Sequence, residues 1–75
     1  MGTFRWTPER MEQLEYAVQT RKRVTLRRRG NEYVVVASAL TQSRGRDAFT
    51  GYLAMTGEEM TFILGDLDHF QVLES

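Results

Sequence analysis

Apolar residues recur along this chain first at helical spacing and then at alternating spacing. Met11, Leu14 and Val18, with Ala17, follow the i, i+3, i+7 rhythm of one apolar helix face. Thr7 suits an N-cap, and Pro8 fits the first helical turn, where a missing N–H costs nothing. Glu9 and Glu12 complement the positive end of the helix dipole, and Arg21, Lys22 and Arg23 complement the negative end. The spacing predicts a helix over 8–20. Residues 1–6 read as an arm whose Phe4 and Trp6 either pack back on the body or anchor a partner, since tryptophan is favoured at binding hot spots.

From residue 23 the period changes to two. Val24 and Leu26 alternate with Arg23, Thr25 and Arg27, the pattern of a half-buried strand. Gly30-Asn31 is a turn signal. The run Tyr33 to Leu40 is apolar and β-branched throughout most of its length, which predicts a strand covered on both faces, by the helix or by a second subunit. Residues 41–47 read as a polar loop, and 48–55 as a third strand in which Gly51 marks a bulge or sharp bend. Thr56-Gly57-Glu58 is a tight turn. Met60, Phe62 and Leu64 alternate into a fourth strand, residues 65–68 are turn-like, and Phe70 and Val72 belong to a fifth strand. The prediction is a single domain over 1–75, mainly β: an N-terminal helix followed by a five-stranded antiparallel SH3/Sm-like small barrel over 23–73. Closing the sheet would bury one face of every strand and remove most of the free edge.

A helix, a bent five-stranded meander and a one-turn link before the last strand resemble the Sm-like branch of the SH3-type barrels. Within it, Gly51-Tyr52-Leu53 and Phe62-Ile63-Leu64-Gly65-Asp66-Leu67 are similar to the middle-strand tripeptide and the closing stretch of the WYL domain. The resemblance covers residues 21–73 and implies the fold. Tyr52, Leu53, Phe62, Leu64 and Leu67 match as packing residues. The family's tryptophan is Gly51 here, and the arginines that the family uses for nucleic acid or nucleotide are Ile63 and Asp66. The resemblance therefore implies no ligand site.

Composition narrows the function classes. With 75 residues, 41 % of them hydrophobic, and no cysteine, the chain has room for one small core and for no disulfide, thiolate zinc site or cysteine nucleophile. No stretch approaches the ~20 apolar residues of a membrane span, and the first residues lack an apolar signal core, so the expectation is a cytoplasmic protein with no membrane partner. Asp66, Asp68 and His69 form a D-x-D-H stretch, but one imidazole and two carboxylates this close in sequence do not converge on a metal unaided. No nucleophile elbow, phosphate loop or dinucleotide fingerprint is present. The expectation is a protein that is not an enzyme, with no cofactor and no metal.

Charge is the informative asymmetry. Residues 1–46 hold all ten cations, nine of them arginine, and four acids, a net of +6. Residues 47–75 hold six acids and no cation, a net of −6. In a meander, Glu58 and Glu59 fall at the end of the sheet that carries Arg27, Arg28 and Arg29. Asp66 and Asp68 fall near Arg44, Arg46 and Arg21–Arg23. Each basic cluster thus has an acidic turn with which to neutralise itself. Against that stands a phosphate-binding role for Arg27, Arg28 and Arg29, a run of three that outnumbers its acidic neighbours, with Tyr33 beside it to stack on single-stranded bases. Two functions follow. One is a non-enzymatic module that binds nucleic acid or nucleotide through Arg27, Arg28, Arg29 and Tyr33. The other is a protein-interaction or self-assembly module, a homo-oligomer included, using Phe4, Trp6, Val35 and Tyr52.

Overall fold

The structure, a computed structural model, describes residues 5–73. Phe4 lies outside the described residues. The fold is mainly β, with one N-terminal helix and five antiparallel strands in a single sheet. Helix α1 spans Pro8–Thr20, and the strands are β1 (Arg23–Arg28), β2 (Asn31–Ser43), β3 (Arg46–Leu53), β4 (Glu59–Ile63) and β5 (Leu67–Val72). A single 3₁₀ turn, Leu64–Asp66, joins β4 to β5. No helix among the described residues is long and apolar enough to cross a membrane.

The helix begins and ends for local reasons. The Thr7 hydroxyl accepts a hydrogen bond from the Arg10 N–H at 3.2 Å, and Pro8 occupies the first turn. Arg21 takes a left-handed conformation (φ 56°), and its N–H closes the helix onto the Ala17 carbonyl. Leu14 and Ala17 are fully buried and belong to the same core as Val24, Leu26, Val35, Phe49 and Phe62.

The sheet order is β4-β3-β2-β1-β5. Laid flat, five strands ~4.8 Å apart would separate the β4 and β5 edges by about 19 Å. The link from Ile63 to Leu67 is four Cα steps, which reach at most about 14 Å. The sheet must therefore curl. Strand β2 shows how: thirteen residues would run about 40 Å if straight, yet the longest dimension of the molecule is 31 Å. The strand bends at a bulge between Ala37 and Ala39. Gly51 lies opposite this bend, and a Cβ there would stand 2.9 Å from the Val36 carbonyl oxygen and 3.3 Å from the Val35 Cβ. The glycine is needed for close backbone approach.

Curling stops short of the expected barrel closure. Strands β4 and β5 remain the two edges of the sheet and do not pair with each other. The link between them is pinned by side chains. The Trp6 indole N–H donates to the Leu64 carbonyl at 2.7 Å, and its ring packs against Phe70 with the ring centres 5.0 Å apart and the planes tilted by 47°. Arg46 reaches across Gly65 to Asp66 at 3.8 Å.

Three further expectations need correction. The first turn is Arg29-Gly30, one residue earlier than Gly30-Asn31, with φ of 52° and 80° at its two central residues. Residues 41–47 are not a loop: β2 continues to Ser43, and Arg44-Gly45 repeats the same turn chemistry with φ of 53° and 76°. Both are two-residue hairpins with positive φ at both positions, the geometry that matches strand twist. The run 33–40 is not covered on both faces, because α1 packs into the concave side, with the core. Val34 and Leu40 are each 40 % exposed.

Candidate functional site

The β1–β2 hairpin carries the arginine run, and strand alternation separates its members. Arg27 points to the convex face, opposite Glu32 on β2 and His69 on β5. Its Nη2 lies 3.6 Å from Glu32 Oε2, in a pair exposed on both sides. Such a pair is worth little in stability, but it gives Arg27 a carboxylate within its own hairpin. Glu58 and Glu59, the expected partners, form no ion pair with the run.

Arg28 points the other way. The pairing of β1 with β5 shifts by one residue after Arg27, and Arg28 turns toward the mouth of the curled sheet. Its guanidinium carbon lies 5.4 Å from the Tyr33 ring centre and 5.1 Å from that of Phe62. Both distances fall within cation–π range. The Tyr33 and Phe62 rings are 5.5 Å apart, and Phe62 lies 5.5 Å from Phe49 in the core. The arginine thus caps an aromatic column rooted in the interior. Arg28 forms no ion pair among the described residues. Arg29 is exposed at the turn in a left-handed conformation and is likewise without an ion pair there.

The run Arg27, Arg28, Arg29 is therefore three directions, not one patch. Tyr33, expected as a platform for bases, is half-buried and has Arg28 over its ring. Phe62, read from the sequence as packing, is the second wall under that guanidinium. Its contribution was not readable locally, because β4 and β1 are not neighbours in the sheet.

Of the expected interaction residues, Trp6 is committed to Leu64 and Phe70, as above. Val35 is fully buried in the core, which corrects its placement as a contact residue. It alternates inward with Tyr33 and Ala37, and the parity set by Val24 and Leu26 on the adjacent strand requires this. Tyr52 is 37 % exposed. It pairs with Val36 on the convex face. Next to it stands Val34, whose carbonyl accepts from the Ala54 N–H, and the β3–β4 turn carries Met55, 97 % exposed. Met55 and Val34 are the apolar surface that sequence reasoning missed.

The second basic set is split by the fold. Arg21–Arg23 lie at the start of β1, whereas β5 runs antiparallel to β1 with Leu67 opposite Arg28, so Asp66 and Asp68 stand at the Arg27–Arg28 end and not near Arg21–Arg23 as expected. Arg44 is exposed in the β2–β3 turn, and Arg46 is paired with Asp66 as expected from the acidic turn beside it. The D-x-D-H residues diverge. Asp66 is held by Arg46, Asp68 sits at the register shift, and His69 stands opposite Arg27. Among the described residues no three potential ligands come together as a metal site.

Compared with family models and with curated proteins, the chain matches none of either.

Proposed function

We propose that this protein is a non-enzymatic module that binds nucleic acid or nucleotide through Arg28 and Arg29, with Arg27 at the margin of the site. The observation that carries this reading is the Arg28 guanidinium, held over Tyr33 and Phe62 without a carboxylate partner. An arginine stacked on aromatic rings keeps its N–H edge available, and its planar fork matches phosphate oxygens two at a time. Stacking also reduces the side-chain freedom that must be lost on binding. Tyr33 serves as the support beneath the arginine, so its role differs from the base platform expected of it. The resemblance to the WYL domain adds no residue to this site.

The test is binding of a single-stranded RNA or DNA oligonucleotide at increasing salt. Phosphate contacts give an affinity that falls linearly on a double-logarithmic plot, with a slope of about −0.7 per contact. Arg28→Glu should abolish binding, and Arg27→Glu should weaken it less. Binding that is independent of salt, or unaffected by Arg28→Glu, rejects this function.

A second reading, a protein-interaction or self-assembly module, is favoured by one observation. Val34, Tyr52 and Met55 expose apolar surface together on the convex face and the turn beside it. Val34→Asp on this face should disrupt assembly with the fold intact, and sedimentation reads the result.

A further inference from the structure

We propose that the groove between α1 and the free edge of β5 receives an extended, cationic peptide segment of a partner protein as a sixth strand. The proposal is independent of the arginine site.

The hydrogen-bond phase of β5 follows from one contact. The Leu73 N–H donates to the Arg23 carbonyl, its direct partner in the register, so this is a hydrogen-bonded pair. Antiparallel pairs alternate. Gln71 therefore bonds to Thr25, whereas Phe70 and Val72 turn their N–H and C=O groups away from β1. Among the described residues nothing lies beyond β5 in the sheet. Unpaired backbone groups on an edge strand are a template for another strand.

The edge is not bare surface. A groove of about 520 Å³ runs along it, lined by Phe70, Gln71 and Val72 on one side and by Glu9, Glu12, Gln13 and Tyr16 on the other. The helix residues are spaced i, i+3, i+4, i+7, so they form one stripe of α1 that faces the edge. That stripe carries two carboxylates, and neither makes an ion pair among the described residues. Arg10 borders the Phe70 end of the same region and donates to the Arg5 carbonyl. Glu9 shares that end with Arg10, and Glu12 stands one turn further along the stripe, so cationic side chains of an added strand find partners at both carboxylates and foremost at Glu12.

Charge also argues for a foreign strand over a second copy. The other free edge of this sheet is β4, which includes Glu59 and no cation. Residues 47–75 contain no cation at all. Adding β4 of a second copy to this groove would set Glu59 against Glu9 and Glu12. The arginines of β1 lie between two strands and cannot be offered as an edge.

The experiment uses the full chain labelled with ¹⁵N and a synthetic peptide of about eight residues alternating lysine and valine, long enough for one typical strand. In the free protein, the Phe70 and Val72 amides should exchange with solvent faster than that of Gln71. Peptide should shift the amides of Phe70, Gln71 and Val72 saturably and slow the exchange of Phe70 and Val72. The double variant Glu9→Lys, Glu12→Lys, altered at exposed positions, should weaken binding about five- to tenfold. A peptide with glutamate in place of lysine should not bind. The proposal is overturned by slow exchange of Phe70 and Val72 in the free monomer, by equal binding of the acidic peptide, or by shifts confined to the Arg27–Arg29 hairpin. It is also overturned if the protein self-associates and protects Phe70 and Val72 without peptide.

Discussion

Arg28 lies across Phe62, its guanidinium carbon 5.1 Å from the ring centre, although the two residues belong to strands separated by two others in the sheet. The contact bridges the mouth of the curled sheet and ties the candidate ligand-binding side chain to the core. Removing the guanidinium should therefore cost stability as well as binding. Arg28→Leu is expected to lower the unfolding free energy by about 0.5–1 kcal/mol, measured by urea denaturation. Arg27→Leu, with its exposed pair to Glu32, should change it by less. Equal effects of the two substitutions would mean that the stacked arrangement is not present in solution.

The bend of β2 depends on Gly51. Gly51→Ala introduces a Cβ 2.9 Å from a backbone oxygen, an atom that cannot swing aside as a flexible side-chain end can. Overpacking of this kind costs about 1–3 kcal/mol. The urea midpoint should fall, with the slope unchanged.

Arg44 sits at φ 53° in the β2–β3 turn, a conformation that asparagine and glycine tolerate better than arginine. Arg44→Asn should raise the thermal midpoint, with a gain of a few tenths to about 1 kcal/mol. A lowered midpoint would show that Arg44 makes a contact the turn geometry does not require.

Trp6 closes the gap near the β4–β5 link. Trp6→Phe retains an aromatic ring against Phe70 but leaves the Leu64 carbonyl without its donor. The expected loss is about 1–3 kcal/mol. Hydrogen exchange should quicken first at the 3₁₀ turn Leu64–Asp66 and at β5, ahead of the β1–β2 hairpin.

Much of the architecture was legible in order. Thr7-Pro8 and the Met11–Leu14–Val18 spacing mark a helix whose observed limits, Pro8–Thr20, match the expected 8–20. The alternation of Val24 and Leu26 places β1 correctly, with its apolar side inward. Errors gathered at turns. Arginine precedes glycine in both two-residue hairpins, and it lacks the turn signature of asparagine, so the first turn was displaced by one residue and the second was hidden inside an apparent loop. The candidate site was legible as composition, three arginines beside a tyrosine. Its working geometry was not, because Phe62 arrives from a distant strand.

What the sequence by itself determined is the helix, the order of the five strands and the side-chain parity within them, for these depend on neighbours two to four residues away. It did not determine the far half of β2 or the exact turns. The same parity separates Tyr33, Val35 and Ala37 from Val34 and Val36, and it sends Arg27 and Arg28 to opposite sides. Only the tertiary structure decided how far the sheet curls, that β4 and β5 stay open as edges, and that Arg28 rests on Phe62 while Arg27 meets Glu32. Those outcomes depend on one bulge in β2, one register shift beside β5 and the packing of Trp6 and Arg46 on the final link. Gly51 announces the bend in the sequence, but the register shift and the packing of Trp6 on Leu64 and Phe70 join segments far apart in the chain, and no local pattern encodes them.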